Sequence, residues 1–157
     1  MMNWEAIGAI GELVGAVAVV VTLLYLAGQL KQNTKAMQSG TRETFLNGLQ
    51  TVNGYALQNS DVIHRGLFHG EELSGEEFTR FVTIIHAALN AYEALYSEYL
   101  AGHVDESFWE SKARQIQFSI SGPSGRKAWV DYTYLFDDRF VTYVNEIVLP
   151  KVAEDSQ

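Results

Sequence analysis

His86, Asn90 and Glu93 stand at i, i+4 and i+7, a spacing that places an imidazole, a carboxamide and a carboxylate on one helix face. Such a face could bind a small polar ligand or help to hold a metal in a helical sensor. A solvated helix surface is the commoner origin of the same pattern. The remaining histidines do not extend it. His64 and His69 are five apart, His103 is distant, and none forms the i, i+4 pair or the Glu-x-x-His spacing of di-metal bundles. Asp131, Asp137, Asp138 and Arg139 read as helix caps and surface charge rather than as catalytic carboxylates. No glycine-rich phosphate loop or nucleophile elbow is present. Gly122-Pro123-Ser124-Gly125 lacks a preceding strand and reads as a turn between helices. No enzyme motif emerges, and no cofactor is expected.

The second chemically suggestive residue is Glu12, a carboxylate at the start of an apolar run. An acid within a membrane helix points by default to function, as in a proton or cation path. Its meaning depends on depth. If Lys31 marks the cytoplasmic edge, Glu12 lies about 28 Å away, at the outer interface. If Trp4 marks the outer edge, Glu12 lies about 12 Å inside and needs a partner, a proton or water. An interfacial acid is also favoured by the positive end of the helix dipole.

The element that positions Glu12 is the N-terminal helix. From Leu13 to Leu30 there is no charged residue, and Thr22 and Gln29 are the clearly polar groups. With the extension back to Ala6 the run is long enough to cross about 30 Å of hydrocarbon. A secretory signal would open on positive charge, whereas this chain opens Met-Met-Asn-Trp-Glu. The expected element is therefore a retained transmembrane helix over 6–30, after a short external N-terminus at 1–5. Lys31, Lys35 and Arg42 follow the span, whereas Glu5 and Glu12 lie before or within it. This asymmetry predicts an N-terminus outside and a chain body inside. Trp4 and Tyr25, about 31 Å apart along a helix, suit two interfacial anchors, with Lys31 beyond. Gly8, Gly11, Gly15, Ala18 and Thr22 share one face, a small-residue ridge of the kind along which membrane helices approach closely. Ile10, Val14, Val21 and Leu24 on the opposite face suit lipid.

Beyond the span every apolar repeat has a period near 3.6, which predicts an all-α fold: one transmembrane helix continuing into a small cytoplasmic helical bundle over 31–150. Phe45, Leu49, Val52 and Ala56 mark a core-facing stripe on the continuing helix, which Gly40, Gly48 and Gly54 could bend or break. A turn is expected over 59–70. Ser74 with Glu77 predicts a capping box for a helix that stops at Gly102 and buries Phe78, Phe81, Ile85, Leu89, Tyr92, Tyr96 and Tyr99. Asp105 is expected to cap a helix carrying Trp109, Ala113, Ile116 and Ile120. Ser124 is expected to cap the next. Asp137 is expected to cap a last helix with Phe140, Tyr143, Val144 and Ile147 inward. The tail over 151–157 is expected to fray.

Composition narrows the partners. The 157 residues suit one domain, and 47% apolar content can build a core. With 11 basic against 19 acidic residues, a net charge of −8, nucleic acid is an unsuitable partner. The absence of cysteine excludes disulfides, thiolate zinc sites and cysteine nucleophiles.

The chain resembles a broad group of uncharacterised bacterial membrane-anchored proteins. The likeness lies in Asn3-Trp4-Glu5-Ala6-Ile7-Gly8-Ala9-Ile10-Gly11-Glu12, in Gln32-Asn33-Thr34, and in Gly125, Arg126, Trp129, Leu135, Phe136, Phe140, Tyr143 and Val144. The resemblance implies a bacterial inner membrane location and this topology, and no chemistry. The expected function is that of a non-enzymatic single-span protein, a self-associating scaffold or an accessory subunit of a membrane complex. Its expected partners are the lipid bilayer and further copies of itself or other subunits. Two alternatives stand beside it: an oligomeric cation or proton channel lined by Glu12, and a small-ligand or metal-binding sensor using His86, Asn90 and Glu93.

Overall fold

Helix α1 runs without a break from Trp4 to Gln58, 55 residues through seven glycines. The computed structural model describes residues 3–69 and 73–150; the tail expected to fray at 151–157 and the turn-ending Gly70 lie outside them. The chain divides into two compact units at 39/40. The first is the N-terminal part of α1, whose side chains described through Ala36 are all exposed. Helix order survives there although each glycine costs about 1 kcal/mol relative to alanine, and in an apolar phase a helix is the way for one segment to satisfy its own backbone.

The second unit holds the C-terminal part of α1, then α2 (Ser60–His64), a π-helical turn (Arg65–His69), α3 (Gly75–Leu100), α4 (Glu106–Ser121), α5 (Pro123–Tyr132), a 3-10 turn (Thr133–Leu135), α6 (Asp138–Tyr143) and a second π-helical turn (Val144–Val148). The fold is all-α, with no strand among the described residues. Gly40, Gly48 and Gly54 do not break α1. Phe45 is buried, its ring 5.6 Å from Tyr92 and 6.1 Å from Phe108, and Arg42 reaches Asp105 at 2.6 Å while lying over the Phe108 ring. Tertiary packing outweighs propensity here.

Helix α3 forms the centre of the bundle. Its capping box is complete: the Glu77 amide donates to Ser74 Oγ and the Ser74 amide to Glu77 Oε2. Its C-terminus closes as a Schellman motif, with Gly102 at φ +80°, the Gly102 amide donating to the Tyr99 carbonyl and the His103 amide to the Glu98 carbonyl. The Glu77 carboxyl is held down at about 2, first by the Ser74 amide and then by Arg65, 2.6 Å away. A depressed carboxylate contributes stability above its ordinary value of 4.5 and loses it as pH falls from there toward 2. Ser74→Ala is expected to cost about 1 kcal/mol, read as a lower midpoint in thermal unfolding at pH 7.

Several local expectations are corrected. Residues 59–70 do not form a plain turn: α2 and a π-helical turn occupy 60–69, and Gly66 lies so close to the Phe81 ring that a Cβ would meet it at 2.5 Å. Ser124 is not a cap. Helix α5 starts at Pro123, whose ring pre-sets φ for a first helical position, with Gly122 as N-cap. Ser124 is therefore inside the helix and buried. Gly125 crosses α4 so tightly that a Cβ would stand 2.3 Å from the Ser119 carbonyl oxygen. Ile147 is exposed and Val148 is buried in its place. The π-helical turn over Val144–Val148 adds a residue to that turn, and the inward position moves by one. On α3 the buried set also takes in Val82, Ile84 and Leu95, while Phe78, Tyr96 and Tyr99 are half-buried at its edge.

Candidate functional site

The feature of the molecule that most needs a partner is the surface of α1 from Leu13 to Leu30. Val14, Val17, Val20, Val21, Leu23 and Leu24 are all more than half exposed, on every side of the helix. A monomer in water seldom leaves so large a contiguous apolar surface uncovered. Among the described residues this one helix is long and apolar enough to cross a membrane.

Its few polar side chains are satisfied within the helix. The Thr22 hydroxyl donates to the Ala18 carbonyl at 2.8 Å, and the Gln29 amide donates to the Tyr25 hydroxyl at 2.6 Å. Internal pairing of this kind removes donors that would be costly in hydrocarbon. Gly8, Gly11 and Gly15 lie on the ridge with Ala18 and Thr22. A Cβ added at any of the three glycines meets nothing within 4 Å, so no contact among the described residues requires them to be glycine. Glu12 is exposed and, among the described residues, has no hydrogen-bond or ion-pair partner. Trp4 and Tyr25 are both exposed, and Lys31 follows on the same helix.

The histidine face does not assemble as a site. His86 is half-buried, its ring edge-to-face with Tyr132 at 4.8 Å and with Phe136 at 5.8 Å. Asn90 is exposed. The Glu93 carboxylate accepts from the Asp137 amide, tying α3 to the start of α6. The three residues thus do not converge: His86 meets two rings, Asn90 faces solvent and Glu93 takes an amide. Among the described residues no three His, Asp or Glu side chains are grouped to hold a metal. The buried imidazole lies below its ordinary value of 6.5 because burial penalises its charge, with the Ala128 backbone pulling weakly the other way.

Sequence reasoning missed how the aromatic residues cluster. Tyr96 packs 4.8 Å from Tyr143 and 5.1 Å from Trp109, whose indole donates to the Tyr143 hydroxyl at 3.1 Å. Tyr92, raised to about 12 by burial, donates its hydroxyl to Gln115. These are cohesive contacts inside the bundle. A shallow groove of about 450 Å³ runs beside Phe45, flanked by Thr41, Thr44, Gly48, Ala91 and Ala94. The i, i+3, i+7 spacing of Thr41, Thr44 and Gly48 was the available signal for it.

The chain matches no protein-family model, no curated protein and no solved structure.

Proposed function

We propose that this is a non-enzymatic, single-span protein of a bacterial inner membrane, acting as a self-associating scaffold or as an accessory subunit of a membrane complex. One observation carries the reading: an apolar helix surface that is exposed all round, with its polar side chains bonded internally. Lipid is the solvent that suits such a surface. Lys31 and Lys35 on the C-terminal side favour an N-terminus outside and a bundle inside. The ridge of Gly8, Gly11, Gly15 and Ala18, whose three glycines face open space among the described residues, would be the face on which spans meet.

Self-association is tested by mass measurement of the detergent-solubilised chain. Wild type is expected to be oligomeric and the double variant Gly11→Ile, Gly15→Ile monomeric. Open space around both positions means that the substitutions leave the chain's own packing untouched. A monomer in both samples would end the self-associating form of the proposal. Topology is tested by labelling, made simple by the absence of native cysteine. Asn3→Cys is expected to react with a membrane-impermeant maleimide on intact spheroplasts. Ser97→Cys, exposed on α3, is expected to react only after lysis. The reverse pattern would invert the topology.

A further inference from the structure

His86 is buried at Nε2, and among the described residues that nitrogen has no hydrogen-bond partner. It projects from the central helix α3 into an aromatic corner formed by Tyr132 at the end of α5 and Phe136 just after the 3-10 turn. Phe136 in turn stacks on Trp129 at 5.5 Å, so the imidazole supports the wall that closes α5 against the core. The charged groups of the packed elements are Arg126, Lys127 and Asp131 on α5, Asp137, Asp138 and Arg139 beyond the turn, and Glu93 on α3; Arg126 and Asp138 are exposed to solvent. On α5, Lys127 pairs with Asp131. Beyond the turn, Asp137 pairs with Arg139. On α3, the Glu93 carboxylate accepts from the Asp137 amide. Tyr132 is the titratable side chain in ring contact with the imidazole. Neither Tyr132 nor Phe136 offers a carboxylate to an imidazolium. The Ala128 backbone on α5 favours the charged ring, but burial outweighs it; the neutral ring therefore fits this corner, and protonation would bring a charge into it with no partner at Nε2 among the described residues.

We propose that His86 is an acid-released latch: neutral, it holds the segment 124–136 on α3, and protonated, it leaves the aromatic corner and lets that segment open. The sign follows from burial, which keeps the folded-state imidazole below its ordinary value of 6.5. The closed state is fully favoured above 6.5 and loses ground as pH falls toward the lower folded-state value. Opening would uncover the apolar side of α5, with Ala128 and Trp129, both now buried.

The test is amide hydrogen exchange on the full chain in neutral detergent micelles from pH 7.5 to 5, corrected for the intrinsic pH dependence of exchange. In wild type, exchange over 124–136 is expected to rise by up to about tenfold per pH unit below 6.5, while the α4 amides over 110–120 stay level. His86→Phe, which keeps the aromatic corner filled, is expected to show no such rise. His64, His69 and His103 remain in that variant and control for other titrations. Equal rises in wild type and His86→Phe, or a level profile over 124–136 in wild type, would overturn the latch. Should His86→Phe not fold, the wild-type imidazole NMR titration decides: a midpoint coinciding with the rise in exchange supports the latch, and a His86 that titrates without any rise removes it.

Discussion

Trp129→Ala is expected to lower the stability of the bundle by about 3–5 kcal/mol, the range for deleting a fully buried large aromatic. Trp129 is 1% exposed, stacks on Phe136 at 5.5 Å and meets Phe140 edge-on at 6.2 Å. Its indole donates to Asn145 Oδ1 at 2.9 Å, which links α5 to the second π-helical turn. Removal leaves a void beside Phe136, just after the 3-10 turn, and Phe140 on α6, so no single helix can shift to fill it. Domains of this size have about 5–15 kcal/mol in total; the variant would stand near the edge of folding. The measurement is near-UV circular dichroism through a denaturant titration of the full chain in detergent, because it reports the packing of the bundle's aromatic rings rather than helix content. Trp129→Phe, which keeps most of the ring area but loses the bond to Asn145, is expected to lie between the two. Val130→Ala, one residue on and exposed, is expected to change stability by less than about 0.5 kcal/mol. Equal effects at 129 and 130 would show that the aromatic wall is not what holds α5.

That wall also marks the limit of what could be read from the sequence. The helices were legible because each carries its own start and stop chemistry: Ser74 with Glu77, Asp105 and Asp137 all cap where their spacing predicts. The central stripe through Phe81, Ile85, Leu89 and Tyr92 was legible for the same local reason, a repeat at 3.6 residues. What escaped depends on neighbours distant in sequence. Val148 replaces Ile147 inside because a π-helical turn shifts the phase of the last helix, and no residue type there announces such a turn. Ser124 looks like a cap by type, but Pro123 had already started the helix. Gly66 and Gly125 are fixed by Phe81 and by the α4 backbone, contacts that a one-dimensional pattern does not contain. The candidate histidine face failed in the same way. Periodicity puts His86, Asn90 and Glu93 on adjoining turns, yet the elements that pack on α3 engage the first with two rings, leave the second in solvent and give the third an amide to cap. The N-terminal surface was legible because it has no tertiary context to miss.

For that surface the proposed bilayer setting predicts that the double variant Val21→Arg, Leu24→Arg no longer partitions into membranes. Both positions face away from the Gly8, Gly11, Gly15 ridge, so a contact between spans would not be touched directly. An arginine near the centre of a span costs about 2.5–3.5 kcal/mol on insertion, and two of them cost about 5–7 kcal/mol, more than a thousandfold in partition. The middle of the Leu13–Leu30 run is also where a guanidinium has the longest reach to either interface. The opposite solvent predicts the opposite outcome. Val21 and Leu24 are 59% and 69% exposed, and a helix that met only water would register two polar substitutions there within about 0.5 kcal/mol each. Wild type is therefore expected in the carbonate-resistant membrane pellet and the variant in the supernatant or degraded. The bundle's near-UV signal should be unchanged wherever intact variant is recovered, because residues 21 and 24 belong to the other compact unit. Equal fractionation of wild type and variant would remove the bilayer as the partner of this helix. The ridge would then be a contact face between helices in water, where Gly8, Gly11, Gly15 and Gly28 would each cost about 1 kcal/mol relative to alanine.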